Sequence, residues 1–367
     1  MKNVTDTHIH ASQYPNVGVF GKTTLMDWLN NYIFPIESSK KDVSKTRLVY
    51  SRCIQRSLSN GTTTAVYFAT THVDATNMLA DLCLSIDISP ETCIADTRAT
   101  IEHIAHIDSE NSLITPIITP RFAQSCISQM MYQLGALRRE IGLPIQTHTS
   151  ENQIEIDIQS GEGKVKGCTS VVHKAFSQCT SYAIIYDHHV LFREKIVLAH
   201  AVHLTEEETN LINLRQSRIS HCPISNTALI SGESKIQWLL KKGIDIGLGS
   251  DVSGVYETKL TVEEVLHLAT RGGVKVVGLD QKLGAFEVGM TWDVQFSGLN
   301  SFLDDFDDGN SINSNSASWP FRNDGKVDIF SWELEESAIE KWVFNGDDRN
   351  FLALCVQGRL VHHRKAN

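Results

Sequence analysis

Apolar and polar positions alternate between two periods along this chain. Short β-branched runs predict buried strands: Thr62 to Phe68 (TTTAVYF), Leu143 to Thr149 (LPIQTHT), Lys195 to Val202 (KIVLAHAV), Ser217 to Pro223 (SRISHCP) and Ile244 to Asp251 (IDIGLGSD). LITPIITP, Leu113 to Pro120, reads as a further strand that ends in proline. Between them lie segments of helical spacing. These are Thr23 to Phe34, Ser44 to Ser59 with Leu48, Ile54 and Leu58 on one side, Asp74 to Leu84, and a stretch from about Ala95. Cys126 to Gly142, a helix capped by Ser150, Thr205 to Gln216 and Ser234 to Lys242 continue the series. Alternation of this kind specifies parallel βα units. With the opening strand, seven strands lie within residues 3 to 251, so the expectation is an α/β, TIM-like (β/α)8 barrel. It would be incomplete, with one strand missing or disguised between Leu82 and Leu113. An open doubly wound sheet is the alternative, but no GxGxxG follows the first strand, which speaks against a dinucleotide version.

Beyond Asp251 the pattern changes. Thr261 to Leu279 reads as a helix broken at Gly272–Gly273, and Gly284 to Phe296 as turns and short strands. Leu303 to Asn323, rich in Asp, Ser and Asn, reads as a solvated loop, and Phe351 to His363 as a hairpin. Residues 1–280 are therefore assigned to the barrel and 281–367 to a small C-terminal β lobe.

Composition narrows the picture. The chain is 41% hydrophobic and 21% charged, with a net charge of −10, which opposes a broad nucleic-acid or anionic-membrane surface. Its eight cysteines are scattered without a CxxC, as expected of thiols in a reducing compartment. The start has no apolar leader and no run approaches a membrane span, so the expected location is the cytoplasm.

Chemistry enters at the strand ends. In TDTHIHASQY, His8 and His10 share one face of a strand, a single pleat apart, while Ile9 faces the other way. An isolated HxH is weak evidence, since an exposed polar strand face produces it too. His148 ends IQTHT, His200 ends VLAHAV and Asp251 ends IGLGSD. In a (β/α)8 barrel such ends converge on one mouth, where catalysis sits. Imidazole and carboxylate together suit zinc, iron and other first-row metals.

The ordered set DTHIHASQY, TPRFAQSC, QTHTSEN, LAHAVHL, HCPISNTAL, GLGSDVSG, GAFEVG and NGDDRN resembles the amidohydrolase superfamily, and within it the guanine deaminase family. The resemblance implies a metal-dependent hydrolase barrel that converts guanine and water to xanthine and ammonia. It implies one Zn²⁺ per chain, or iron in its place, on His8, His10, His148 and Asp251. IITP offers no lysine to bridge a second metal. Glu151 is the implied proton carrier, His200 holds the attacking water, and Asp251 both ligates and accepts a proton. Gln13, Arg121 and Phe122 would contact the base, beside His10, His148, Glu151 and Asp251. His221 and Asn226 are given supporting places only. Leu25 and Trp28 either close the pocket or belong to the core. The family commonly forms homodimers, so a homodimer is expected, with guanine as partner and neither nucleic acid nor membrane.

Three departures stand out. Little chain precedes His8, the stretch after Leu82 is weak where the family has its third barrel strand, and the connection after Asp251 is short. Unpaired edges and exposed apolar surface should follow. Ala201 replaces a glycine usual in the family. The competing readings are another ring deaminase of the superfamily, or a catalytically silent shortened isoform that acts through protein contacts.

Overall fold

The computed structural model describes residues 4–19, 25–86, 94–110, 112–126, 128–160, 176, 178–179, 181–251, 260–302, 327–330 and 333–364. Strand β1 (Val4–His10) pairs in parallel with β2 (Thr62–Phe68). Strands β3 (Ile145–Thr149), β4 (Ile196–His200), β5 (Arg218–His221) and β6 (Ile246–Leu248) form a parallel sheet in chain order. Every residue of β3, β4 and β6 is buried, as expected of strands covered on both faces. Two isolated parallel bridges join the arcs. Ile9 to Asp251 links the end of β6 back to β1, and Ile118 to Ile145 lays one more extended segment on the edge of β3. The result is the barrel arc that the alternating pattern predicted.

Between β2 and Ile118 the described residues hold no strand. The chain runs instead through the helices Val73–Ile86 and Ile94–Ile107. Gln146 reaches across the gap, its Nε2 donating to the Tyr67 carbonyl and to Thr119 Oγ1, each at 3.1 Å. A polar side chain thus meets an edge that a strand would otherwise pair.

Leu113 to Pro120 is not the strand expected, beyond the single bridge at Ile118. Pro116 and Pro120 lack the N–H a ladder needs. Upstream, the Asp108 carboxylate takes the N–H groups of Ser112, Leu113 and Ile114 at 2.8–3.0 Å, together with the Ser112 hydroxyl.

Other expectations shift for local reasons. The helix Val43–Ser59 is capped by Asp42, which accepts from the Lys45 N–H, but it buries Tyr50, Cys53, Ile54 and Leu58. Leu48 lies on its outer face, 73% exposed. The helix near Thr23 continues past Phe34 to Ser38, through a π-helical turn at Leu29–Ile33. Asn152 rather than Ser150 caps Gln153–Ser160, its Oδ1 accepting from the Ile154 N–H. Residues 261–279 are not broken at the glycine pair. Val262–His267 passes through a π-helical turn, Leu268–Gly272, into Gly273–Val277. Both glycines serve packing: a Cβ on Gly272 would lie 2.6 Å from the Ile246 carbonyl oxygen, and one on Gly273 2.9 Å from Thr5 Cβ.

The tail adds β7 (Val294–Ser297), β8 (Asn300–Phe302), β9 (Asp328–Phe330), β10 (Phe351–Val356) and β11 (Arg359–His363). The expected hairpin is β10–β11, turning at Gln357–Gly358 with positive φ at both. β7 pairs with the other side of β10, and β8 pairs with β9. A helix at Glu335–Asn345, not foreseen from the sequence, packs beside them. The loop expected at Leu303 to Asn323 lies outside the described residues. Phe286, Val288 and Trp292 leave apolar surface exposed, as anticipated. No helix among the described residues is long and apolar enough to cross a membrane. No disulfide joins Cys53, Cys83, Cys126, Cys179, Cys222 or Cys355, while Cys93 and Cys168 lie outside the described residues.

Asp108 offers a test of the turn that replaces the expected strand. Burial pushes its carboxyl up, but the backbone N–H bonds outweigh this and hold it below the usual range. Its contribution is therefore complete above an unfolded pKa of about 3.9 and lost as pH falls through the depressed folded value. Asp108→Ala should cost about 1–3 kcal/mol in urea unfolding at pH 7, and the difference should narrow below about pH 4. An equal difference at both pH values would count against the charged acceptor.

Candidate metal centre

Backbone pairing assembles the site. The His10 N–H donates to the Asp251 carbonyl at 3.0 Å, and the Asp251 N–H to the His8 carbonyl at 2.7 Å. The carboxylate at the end of β6 is thereby set beside both imidazoles of β1. Its Oδ1 lies 3.6 Å from His8 Nε2 and 3.4 Å from His10 Nε2. Gly249 makes the approach possible, because a Cβ there would sit 2.7 Å from His8 Cβ. In the neighbouring sheet, register places Thr149 opposite His200 and His148 opposite Ala199. Ring centroids of His8, His148 and His200 then lie 4.8–5.4 Å apart.

His8, His10, His148, His200 and Asp251, with Glu151, are all buried to 7% exposure or less. The strand ends also carry strain. Ser150, His200, Ala201 and Asp251 have φ between 47° and 72°, a region that costs non-glycine residues about 1–3 kcal/mol each. Ala201 adopts this conformation despite its Cβ.

The hydrogen bonds assign tautomers. His148 Nδ1 lies 2.6 Å from the Arg121 carbonyl, which only accepts, so Nδ1 carries the proton and Nε2 is bare. His200 Nδ1 likewise donates to Asn226 Oδ1 at 2.8 Å, leaving its Nε2 bare and 3.6 Å from Glu151 Oε2. His10 Nε2 and His148 Nε2 are 3.1 Å apart, and Gln13 Nε2 donates to His10 Nδ1 at 3.0 Å. His8 Nε2, His200 Nε2 and Glu151 Oε1 are buried with no hydrogen-bond partner. Two donor groups, His8–His148–His200 and His8–His10–Asp251, each have ligand atoms within 4.8 Å of one another. Bare imidazole nitrogens converging on an acceptor-only carboxylate fit a divalent first-row cation. Held second nitrogens, as at His148 and His200, are the usual outer support of such ligands.

Electrostatics agree with that donor set. Burial pulls His8, His10 and His148 down, towards the neutral form that binds metal. Burial pushes Asp251 up, but the neighbouring imidazoles outweigh it and keep the carboxyl ionised. Burial, then the Asp251 charge, pushes Glu151 up to about 8. Glu155 is also pushed up to about 8, by burial and by Glu151.

A cavity of about 30 Å³ meets this cluster, lined by His10, Gln13, Trp28, Arg121, Phe122 and Glu151 among others. That is room for about one water, so a larger ligand must displace lining side chains. A larger cavity, about 400 Å³, touches His10 and Asp251 from the side of Ile9, Leu248 and Phe344. It meets none of Arg121, Phe122, His148, Glu151 or His200, and the chemistry therefore belongs to the smaller one. Leu25 and Trp28 do both things asked of them: they line the small cavity and pack with Leu29, Ile33, Phe122 and Leu229.

Every residue singled out in the sequence except His221 and Asn226 falls on this cavity or its donor groups. His221 is buried at the end of β5, outside both groups, while Asn226 orients His200. Three participants were not foreseen. Phe68 packs on the rings of His8, His10 and His148 at 4.6–4.8 Å, and it closes a strand that was legible. Glu155 accepts from the N–H groups of Glu151 and Asn152, one turn after Glu151. Glu37 pairs with Arg121, and no motif marked it.

Residues 4–361 match the amidohydrolase family. The chain is 37% identical over 401 residues to a protein of Schizosaccharomyces pombe described as a probable guanine deaminase, covering 97% of this chain and 70% of that one. It is 33% identical over 407 residues to human guanine deaminase, covering 98% and 82%. The structure of guanine deaminase from C. acetobutylicum, with guanine bound in its active site, superposes with a TM-score of 0.77 at 28% identity, covering 99% of this chain and 86% of that one.

The donor set predicts the behaviour of divalent cations. His148→Ala and Asp251→Ala should each retain at least about tenfold less zinc after dialysis, by elemental analysis, whereas His221→Ala should retain as much as the parent. A cation at about 100 times its Kd adds about 2.7 kcal/mol, so a chelator should lower the parent's unfolding temperature. Equal zinc in all the variants would remove the assignment.

Proposed function

The chain belongs to the amidohydrolase family, and from that premise we propose that it hydrolyses guanine to xanthine and ammonia. What carries the reading is one placement: a metal-type donor set, a buried carboxyl and two base-reading side chains meet in the same cavity. The reaction is the one named for the relatives this chain is similar to. The barrel residues, 1–280, supply all of these groups, with 281–367 as the accompanying lobe.

We assign one zinc to His8, His10, His148 and Asp251, with iron as the other candidate ion. When bound, it supplies the Lewis acidity that makes water a nucleophile at neutral pH. The chain's own residues do the rest. His200, with its Nδ1–H held by Asn226, offers a bare Nε2 to a proton of the attacking water. Glu151, whose Oε2 faces that nitrogen and whose Oε1 has no partner, takes a proton from the water. It passes that proton to the ring nitrogen beside C2 of guanine. Asp251 takes the second proton. The water oxygen bonds to C2, and the proton taken by Asp251 is relayed through Glu151 to the exocyclic nitrogen. The bond from C2 to that nitrogen breaks, and it leaves as ammonia while the C2–O bond becomes the carbonyl of xanthine. Burial around Glu151 excludes bulk water from these transfers.

Arg121 lines the cavity with a planar fork that can donate to the base carbonyl and a ring nitrogen. Gln13 offers an amide to the purine edge, and Phe122 an apolar face. Trp28, Leu25 and Leu29 cover the site, and the ring enters only when they yield.

Glu151→Gln should lower guanine turnover by about 10²–10⁴-fold while zinc content stays at the parent's value. Xanthine appearance by absorbance, with ammonia measured in parallel, checks it. Full activity in the variant would remove Glu151 from the proton path. A zinc-loaded parent that releases no xanthine would sink the guanine reading.

A further inference from the structure

Glu37 belongs to none of the motifs that identified the site. It stands near the end of Phe34–Ser38, the last turn of the helical segment covering the cavity. Its carboxylate accepts from Arg121 Nη1 through both oxygens, at 2.8 and 2.6 Å, from Gln13 Nε2 at 2.9 Å and from Ser12 Oγ at 3.2 Å. The pair is sheltered, with side chains 15% exposed for Glu37 and 24% for Arg121. Ser12 and Gln13 are buried. One carboxylate therefore gathers three donors from two separate segments, the turn Ala11–Asn16 and the extended chain at Arg121.

We propose that Glu37 is a positioning residue for substrate recognition, fixing the Arg121 fork and the Gln13 amide so that the pocket selects purines bearing a 6-oxo group. The inference rests on the guanine reading of the site and deepens it. Both oxygens of Glu37 engage the same terminal nitrogen, Nη1. Nη2 and Nε of Arg121 make no hydrogen bond among the described residues, so two donors of the fork stay available. A guanidinium held at one corner by a charge-assisted pair keeps its plane and direction. The Phe34 ring, 5.8 Å from the guanidinium carbon, adds a second wall. Without the carboxylate, Arg121 is a long side chain with many rotamers at the edge of a cavity. Each substrate must then order it again on binding, which weakens binding and leaves the chemical step untouched.

The test compares Glu37→Gln with the zinc-loaded parent on two ligands. Guanine carries the 6-oxo group, and 2-aminopurine is the same ring without it. KM for guanine should rise about 10- to 100-fold, the range lost with a hydrogen bond to a charged group, and kcat should stay within about threefold. The inhibition constant of 2-aminopurine, which keeps the ring nitrogens and lacks only the carbonyl, should rise by no more than about threefold, and the zinc content should not move. Glu37→Asp, which keeps the charge but retracts it by one methylene, should fall between parent and Gln variant. It carries the same comparison if the Gln variant does not fold. An unchanged guanine KM overturns the proposal. So does a parallel loss of guanine and 2-aminopurine affinity, which marks a collapsed cover rather than lost selection. A parent that releases no xanthine overturns the guanine reading itself, and this inference with it.

Discussion

Two backbone hydrogen bonds hold the molecule's chemistry together: His10 N–H to the Asp251 carbonyl, and Asp251 N–H to the His8 carbonyl. They return the last strand of the arc to the first. In the same contact they place a carboxylate against two imidazoles. Joining of the two arcs on this side and assembly of the site are thus one event. The nearby glycines are read most simply in this light. Gly249 lets β6 pass His8, while Gly272 and Gly273 let the helix behind it approach Ile246 and Thr5.

The site runs against ordinary folding preferences. Bare imidazole nitrogens lie buried without partners, Glu151 is desolvated, and non-glycine residues at the strand ends take positive φ. Each feature costs stability, and together they leave a compact set of unsatisfied acceptors. A cation satisfies the acceptors in one step. Local strain and chemical readiness therefore coincide at the ends of β3, β4 and β6.

Some of this was legible in the chain. The strands from Thr62, Leu143, Lys195 and Ser217 could be read because buried parallel strands are runs of apolar and β-branched residues with turn signals beside them. The histidines at their ends could be read for the same reason, since a strand end is a position along the chain. Leu113 to Pro120 looked like another such run. It was diverted by two prolines and by Asp108, whose carboxylate takes the backbone groups near its start. Leu48 showed the limit of helical spacing: a one-residue misjudgement of phase rotates the inferred face by 100°, and only packing fixes the phase.

The amino-acid sequence by itself determined the alternation of elements and the residue types at the strand ends, because both depend on neighbours a few positions apart. It also determined the spacing of His8 and His10 on one face, a property of the pleat. Tertiary structure alone decided which lone pairs converge, which ring nitrogens carry protons, and that Glu37, 84 positions away from Arg121, is its partner. Those outcomes depend on distances between segments that the chain order does not encode. It is the same reason that the gap beside β2 is met by the side chain of Gln146, a residue of β3 that no local pattern connects with Tyr67.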